Sequence, residues 1–121
     1  MPPCTPEDVL SFLIEMKKTL SRPNSLQMVR RIKNMQALAE IGYTKDDVRD
    51  VLYSLMVEDY YSGPEKDHDS NFPGDIWKFG KIVDKDEFYI KLKLLKSDKQ
   101  IVVCLSFHKA KYPISYPFKG K

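Results

Sequence analysis

Two runs of alternating apolar residues, one from Glu87 to Leu95 and the other from Gln100 to His108, constrain this chain more than any other feature. Alternation at a period of two places one residue set on each face of a β-strand. In the first run Phe88, Ile90, Leu92 and Leu94 form the apolar set, and in the second Ile101, Val103, Leu105 and Phe107 do. A two-residue turn at Ser97-Asp98 would pair Leu94 with Ile101 and Phe88 with Phe107, so both apolar sets meet on one face. The other face then carries Tyr89, Lys91 and Lys93 beside Cys104, Ser106 and His108. A third run, Ile76 to Val83, precedes them across Asp84-Lys85-Asp86 and completes an antiparallel meander. If Trp77 and Phe79 point into the core, Lys78 joins the polar face.

The N-terminal half has helical periodicity instead. Thr5-Pro6-Glu7-Asp8 combines a capping Thr, a Pro at the first helical position and an acid three residues after the cap. Val9, Phe12, Leu13, Met16 and Leu20 follow at helical spacing, and 21–25 ends the helix. Leu26 to Arg31 reads as a short strand or an extended crossing. A second helix from about Asn34 through Glu40 stops at Gly42, which suits a left-handed cap. Thr44 with Asp47 opens a third helix, with Val48, Val51, Leu52 and Leu55 on its apolar face, so the second and third helices form a hairpin around Gly42. Ser62 to Asp75, with its glycines, prolines and acids, reads as a loop. The expected fold is α+β in a single domain over 1–121, with N-terminal helices packed on a twisted, mainly antiparallel sheet and one sheet face left for function. The apolar, twice Pro-interrupted segment from Tyr112 to Phe118 reads as an extended strap or a docking segment.

Composition narrows the function. With 121 residues, 42% hydrophobic and 31% charged, the chain is neither disordered nor membrane-embedded in pattern. No apolar run reaches the roughly 18 residues of a membrane span, and the start lacks signal-peptide regions, so a cytoplasmic protein is expected. Cys4 and Cys104 read as two unrelated thiols. The net charge of +3 conceals an asymmetry: from Ile76 onward eleven lysines face four acids, 11 − 4 = +7, and residues 1–75 carry nine cations and thirteen acids, 9 − 13 = −4. A basic C-terminal half suits a polyanion such as RNA, although lysines solvating a sheet give the same pattern. Asp67, Asp69 and Asn71 alternate like a calcium loop, but Phe72 stands where that loop needs Gly and no Glu closes it, so no metal and no cofactor is expected.

The order of Thr5-Pro6, Lys17-Lys18, Leu38 to Gly42, Asp59-Tyr60-Tyr61, Ile76-Trp77, Phe88-Tyr89-Ile90-Lys91 and Val102 to Phe107 resembles the MqsR family of RelE-like toxins. The resemblance implies a RelE-like fold, metal-independent cleavage of single-stranded mRNA, free or on the ribosome, and a neutralising cognate antitoxin. The family's active-site set is a Lys after the aromatic pair, a Gln after Ile-Trp, the Tyr of the Tyr-x-Lys strand and a Lys after Ser-Phe. Ser62, Lys78, Tyr89 and His108 stand at those positions here, so only the Tyr is retained.

Attack of a ribose 2′-oxygen on the adjacent phosphate needs a base, an acid for the leaving 5′-oxygen, and cations on the equatorial oxygens. His108 is the first candidate for acid or base, because imidazole ordinarily titrates near neutral pH. His68 is its expected partner, oriented by Glu65 and Asp67. Lys78 and Lys91 would hold the phosphate and Tyr89 would donate a hydrogen bond or stack on a base. Lys93, Lys109, Lys111, Ser62 and Ser106 complete the expected substrate contacts, while Trp77 is assigned to the core. The alternative for each histidine is a solvated loop or strand-end residue. The alternatives for the whole chain are a non-catalytic module binding RNA or protein through the same face, and a phage-defence ribonuclease.

Overall fold

The computed structural model describes residues 4–67, 74–96 and 98–120. Three helices, α1 (Pro6–Leu20), α2 (Ile32–Ile41) and α3 (Lys45–Tyr53), pack on a five-stranded sheet. Its strands are β1 (Leu26–Met28), β2 (Tyr60–Lys66), β3 (Asp75–Val83), β4 (Asp86–Leu95) and β5 (Ile101–Lys109), in spatial order β1-β5-β4-β3-β2. β1 runs parallel to β5 and the remaining pairs are antiparallel. The expected α+β architecture is present. No helix among the described residues is long and apolar enough to cross a membrane.

Local chemistry accounts for the helices. Asp8 N–H donates to Thr5 Oγ1 at 3.2 Å and Thr5 N–H returns a bond to Asp8 Oδ2 at 2.9 Å, so two otherwise orphaned donors are satisfied where α1 begins. Thr44 and Asp47 repeat the arrangement at α3. The α1 stripe Val9, Phe12, Leu13, Met16 and Leu20 is buried against Phe79, Phe88, Ile90, Leu92 and Phe107 of the sheet. Gly42 closes α2 at φ 70°, as its position suggested. The helices it joins pack on different partners, α2 on β5 and α3 on α1.

Three sequence expectations are corrected. Ser62 to Asp75 is not wholly a loop: β2 extends to Lys66 and pairs with β3, its two register shifts accommodating Gly63-Pro64, which regular pairing could not. The β4–β5 turn is longer than two residues, since Leu95 pairs with Ile101 and Leu94 with Val102. Third, the apolar set assigned to β5 is wrong over most of its length. Val102, Cys104 and Phe107 enter the core under the helices, whereas Val103 and Leu105 join Ile76 in a small apolar cluster on the opposite face. A bulge causes this. Leu92 opposes Cys104 but Lys91 opposes Ser106, so Leu105 is an extra residue and the parity of β5 inverts across it. Cys104 therefore leaves the polar face for the core, where burial pushes its thiol up to about 12 and keeps it unreactive.

Residues beyond β5 form the expected strap. Ile114 N–H and Tyr116 Oη donate to the two Glu87 carboxylate oxygens at 2.9 and 2.8 Å, and Phe118 stacks on Tyr60 with centroids 5.0 Å apart. The crossing requires Gly80, because a Cβ there would sit 2.3 Å from Tyr116 Oη and 2.7 Å from Ile114 Cδ1. Gly80→Val is expected to cost about 1–3 kcal/mol through overpacking. Limited proteolysis should then cut the displaced strap faster than in the wild type, and an unchanged cleavage rate would refute the contact.

Candidate active site

The face of the sheet turned away from the helices is built by strand parity. On β4, Phe88, Ile90 and Leu92 are fully buried in the core, so Tyr89, Lys91 and Lys93 must face the other way. On β3 the inward Trp77 and Phe79 leave Lys78 on that face, with Trp77 stacked on Phe12 at 4.7 Å. On β5 the bulge delivers Ser106 and His108 to it. On β2 the register shift between Tyr60 and Ser62 sets Ser62 opposite Lys78 while Tyr60 stays in the core.

The pairing register brings these positions together. Ser62, Lys78, Lys91 and Ser106 form one row across four strands, and Gly80, Tyr89 and His108 form the next. The four residues at the family's active-site positions thus occupy two adjacent rows. Tyr89 lies at the centre, its ring 5.6 Å from the His108 ring and 6.3 Å from that of Tyr61.

Lys78 Nζ pairs with Glu65 Oε1 at 2.8 Å. Burial alone would lower the Lys78 ammonium, but the hydrogen bond and charge of Glu65, with Tyr89 and Tyr61 nearby, outweigh it and hold Lys78 above the usual lysine range. Tyr89 is raised by burial, which outweighs the opposing pull of Lys78, so its hydroxyl stays a donor. Lys91 is lowered, first by burial and then by repulsion from Lys78 and Arg31. The Glu65 and Asp67 carboxylates offset part of that repulsion, and a phosphate beside Lys91 would offset more.

His108 Nδ1 lies 3.0 Å from the carbonyl oxygen of Lys109. A carbonyl can only accept, so Nδ1 carries the proton in this bond and Nε2 is the nitrogen left to gain or release one. Its ring is thereby held in one orientation and one tautomer.

The remaining predicted residues divide. Lys93 is on the expected face but 3% exposed, its Nζ 3.0 Å from Asp67 Oδ2. Asp67 pairs with Lys93 and Glu65 with Lys78, and the expected orientation of His68 by these two acids falls on a residue outside the described ones. Lys109 is exposed at the end of β5, 3.3 Å from Asp86 and 3.8 Å from Glu40, and Lys111 lies over the Tyr112 ring in the strap. His68 lies outside the described residues, as do Asp69, Asn71 and Ser97. Sequence reasoning missed Arg31 and Tyr61. Arg31 belongs to a basic pair before α2, but only the β1–β5 pairing carries it to the Lys91 end of the sheet, and nothing local signals that.

A family model described as the motility quorum-sensing regulator, toxin of MqsA, matches residues 11–109. The chain belongs to that family. It is accordingly the toxin of a toxin–antitoxin system, and its partner is a cognate antitoxin. Neither a curated protein nor a solved structure matches the chain. The MqsR match includes every residue of the two rows and ends at Lys109, so the strap lies beyond it.

Proposed function

We propose that this MqsR-family toxin is an endoribonuclease that cleaves single-stranded mRNA by 2′-oxygen attack on the neighbouring phosphate and so inhibits translation. The observation that carries the reading is the strand register that sets Lys78 beside Lys91, next to Tyr89 and His108, on the sheet face turned away from the helices. That set supplies cations for a phosphate, an aromatic hydroxyl for a base or a phosphate oxygen, and an oriented imidazole for proton transfer.

In this mechanism Lys78 and Lys91 hold the equatorial oxygens of the scissile phosphate, with Ser62 at one end of their row offering a hydroxyl donor, whereas Ser106 at the other end is buried and is not a substrate contact. Charge grows on those oxygens as the fifth bond to phosphorus forms, and the two ammonium groups stabilise it. Tyr89 donates to a phosphate oxygen or stacks on a neighbouring base. His108, protonated on Nε2, gives that proton to the departing 5′-oxygen. Lys109, expected among the substrate contacts, opposes the core residue Phe88 and pairs with Glu40 and Asp86, so it lies on the helix side of β5 and outside the lysine row. Lys93 serves the site indirectly, since its ammonium is engaged by Asp67. In this reading the charge on the phosphate oxygens and the proton for the leaving 5′-oxygen are both handled by side chains, and no metal is called on.

Incubating the purified toxin with mixed-sequence single-stranded RNA in EDTA tests this. The expected products end in 2′,3′-cyclic phosphate and 5′-hydroxyl. RNA binding with no scission, even with ribosomes added, would make the protein a binding module instead.

Two lysine variants probe the phosphate site directly. Lys78→Ala and Lys91→Ala should each weaken binding to all RNA sequences about equally, and each should reduce the slope of log K against log salt by about 0.7, one phosphate contact on a single strand. Fluorescence anisotropy across a salt series measures it, and an unchanged slope would remove that lysine from the interface.

A further inference from the structure

The nuclease reading leaves one role unassigned: the group that takes the proton from the 2′-hydroxyl. His68 was the candidate from sequence, yet the described site already contains a carboxylate suited to the task.

We infer that Glu65 is the general base of this active site. Its carboxylate reaches from β2 onto the β3 lysine, Oε1 lying 2.8 Å from Lys78 Nζ, while its side chain remains 48% exposed and open to substrate. His108 approaches from the other flank, on β5, with its ring against Tyr89 of β4. The acid and the base thus stand on opposite sides of the Lys78–Lys91 phosphate site. Glu65 opposes Ile76, in the row on one side of the Lys78–Lys91 row, and His108 opposes Tyr89, in the row on the other side, so carboxylate and imidazole flank that row from opposite directions. In-line displacement demands this placement, because the entering and leaving oxygens lie on opposite sides of phosphorus.

Proton and bond accounting closes without another reactant. Glu65 carboxylate takes the 2′-hydroxyl proton as the 2′-oxygen bonds to phosphorus. The bond from phosphorus to the 5′-oxygen breaks, and imidazolium His108 delivers its Nε2 proton to that oxygen. The products are a 2′,3′-cyclic phosphate and a 5′-hydroxyl, leaving a protonated Glu65 and a neutral His108 that exchange back with water. Lys78 has two uses here: its ammonium fixes the position of the carboxylate at 2.8 Å and lies beside the phosphate it would bind. Among the described residues, the charged or titratable groups acting on this corner include Lys78 from β3, Tyr89 and Lys91 from β4, Tyr61 from β2, Asp67 just beyond β2 and Arg31 just before α2.

This inference rests on the nuclease reading, and its test separates the two. Single-turnover cleavage, RNA affinity and the pH–rate profile are measured for wild type, Glu65→Gln, Glu65→Asp and His108→Ala, on ordinary RNA and on RNA with a sulfur replacing the 5′-bridging oxygen. A thiolate leaves without an acid, so the sulfur substrate should restore His108→Ala and should not restore Glu65→Gln. Glu65→Gln should lose about 10²- to 10⁴-fold in rate, and the acidic limb of the profile with it, at unchanged RNA affinity, and Glu65→Asp should recover part of the rate. Cleavage that depends on His108 but survives Glu65→Gln overturns this inference and leaves the nuclease standing. A rate loss in Glu65→Gln that tracks weakened RNA binding overturns it too, reducing Glu65 to a positioning residue for Lys78. Wild-type protein that binds RNA and never cuts it overturns both.

Discussion

Replacing His108 with alanine is expected to lower the rate of RNA cleavage by about 10²- to 10⁴-fold while RNA affinity and thermal stability stay close to wild type. The size follows from the leaving group. A ribose 5′-alkoxide is a poor leaving group at neutral pH unless a proton reaches it as the bond breaks, and His108 Nε2 is positioned to supply one while Nδ1 is committed to the Lys109 carbonyl. The separation of effects follows from where the side chain sits. His108 lies near the end of β5, is half-buried, and contributes nothing to the apolar core under the helices, so removing the ring leaves the strand pairing intact. In the proposed mechanism the lysine row, rather than the imidazole, carries RNA binding. Single-turnover cleavage at saturating protein, anisotropy for affinity and a melting curve measure the three quantities separately. Added imidazole should return part of the lost rate by occupying the vacated space. Wild-type cleavage by His108→Ala would move the chemistry to another part of the molecule.

The second large effect is on stability and comes from a residue outside the site. Asn34, at the start of α2, is fully buried, and its amide holds the bulged stretch of β5: Nδ2 donates to the Val29 and Leu105 carbonyls at 2.9 and 3.1 Å, and Oδ1 accepts from Phe107 N–H at 3.0 Å. Strand β1 ends at Met28, just before the bulge, so the β5 backbone beyond it has no strand neighbour on that side. One side-chain amide takes the neighbour's place as donor and acceptor together. Asn34→Ala strips partners from two buried backbone groups and one half-buried one and should cost about 3–5 kcal/mol, at about 1–3 kcal/mol for each unsatisfied group with partial relief by water. Asn34→Asp should cost at least as much, because a carboxylate can still accept from Phe107 N–H but would face the two carbonyl oxygens it can no longer serve. Equilibrium denaturation measures both, and a loss under about 1 kcal/mol in Asn34→Ala would show that the bulge holds itself. Because the bulge sets which β5 residues face the site, surviving folded Asn34→Ala should also cut RNA more slowly than its folded fraction explains.

These two residues differ in how far sequence could reach them. His108 was visible as an imidazole at a family active-site position, and strand alternation placed it on the correct face. That placement was right for a reason the alternation did not contain. Counting by twos from Ile101 puts Cys104 beside Ser106 and His108, whereas the chain buries Cys104 and restores the count only after the extra residue Leu105. Nothing in the side chains of Asn34 announces that it will bond to residues 71 and 73 positions away.

What the sequence determined by itself is everything that depends on near neighbours along the chain. The capping boxes at Thr5 and Thr44 and the apolar stripe of α1 are written in residues within a few turns of one another. So are the left-handed stop at Gly42 and the face of β4 that presents Tyr89 and Lys91. Such features need only backbone geometry and the gain from burying one side of an element. The tertiary structure alone decided the remainder: that Tyr60–Lys66 becomes a strand, that β5 bulges at Leu105, that Lys93 is buried against Asp67, and that Arg31 and Glu65 reach the lysine row. Each depends on which distant backbone groups find partners and which charges are brought close enough to interact, and both are properties of the pairing register rather than of any local run of residues.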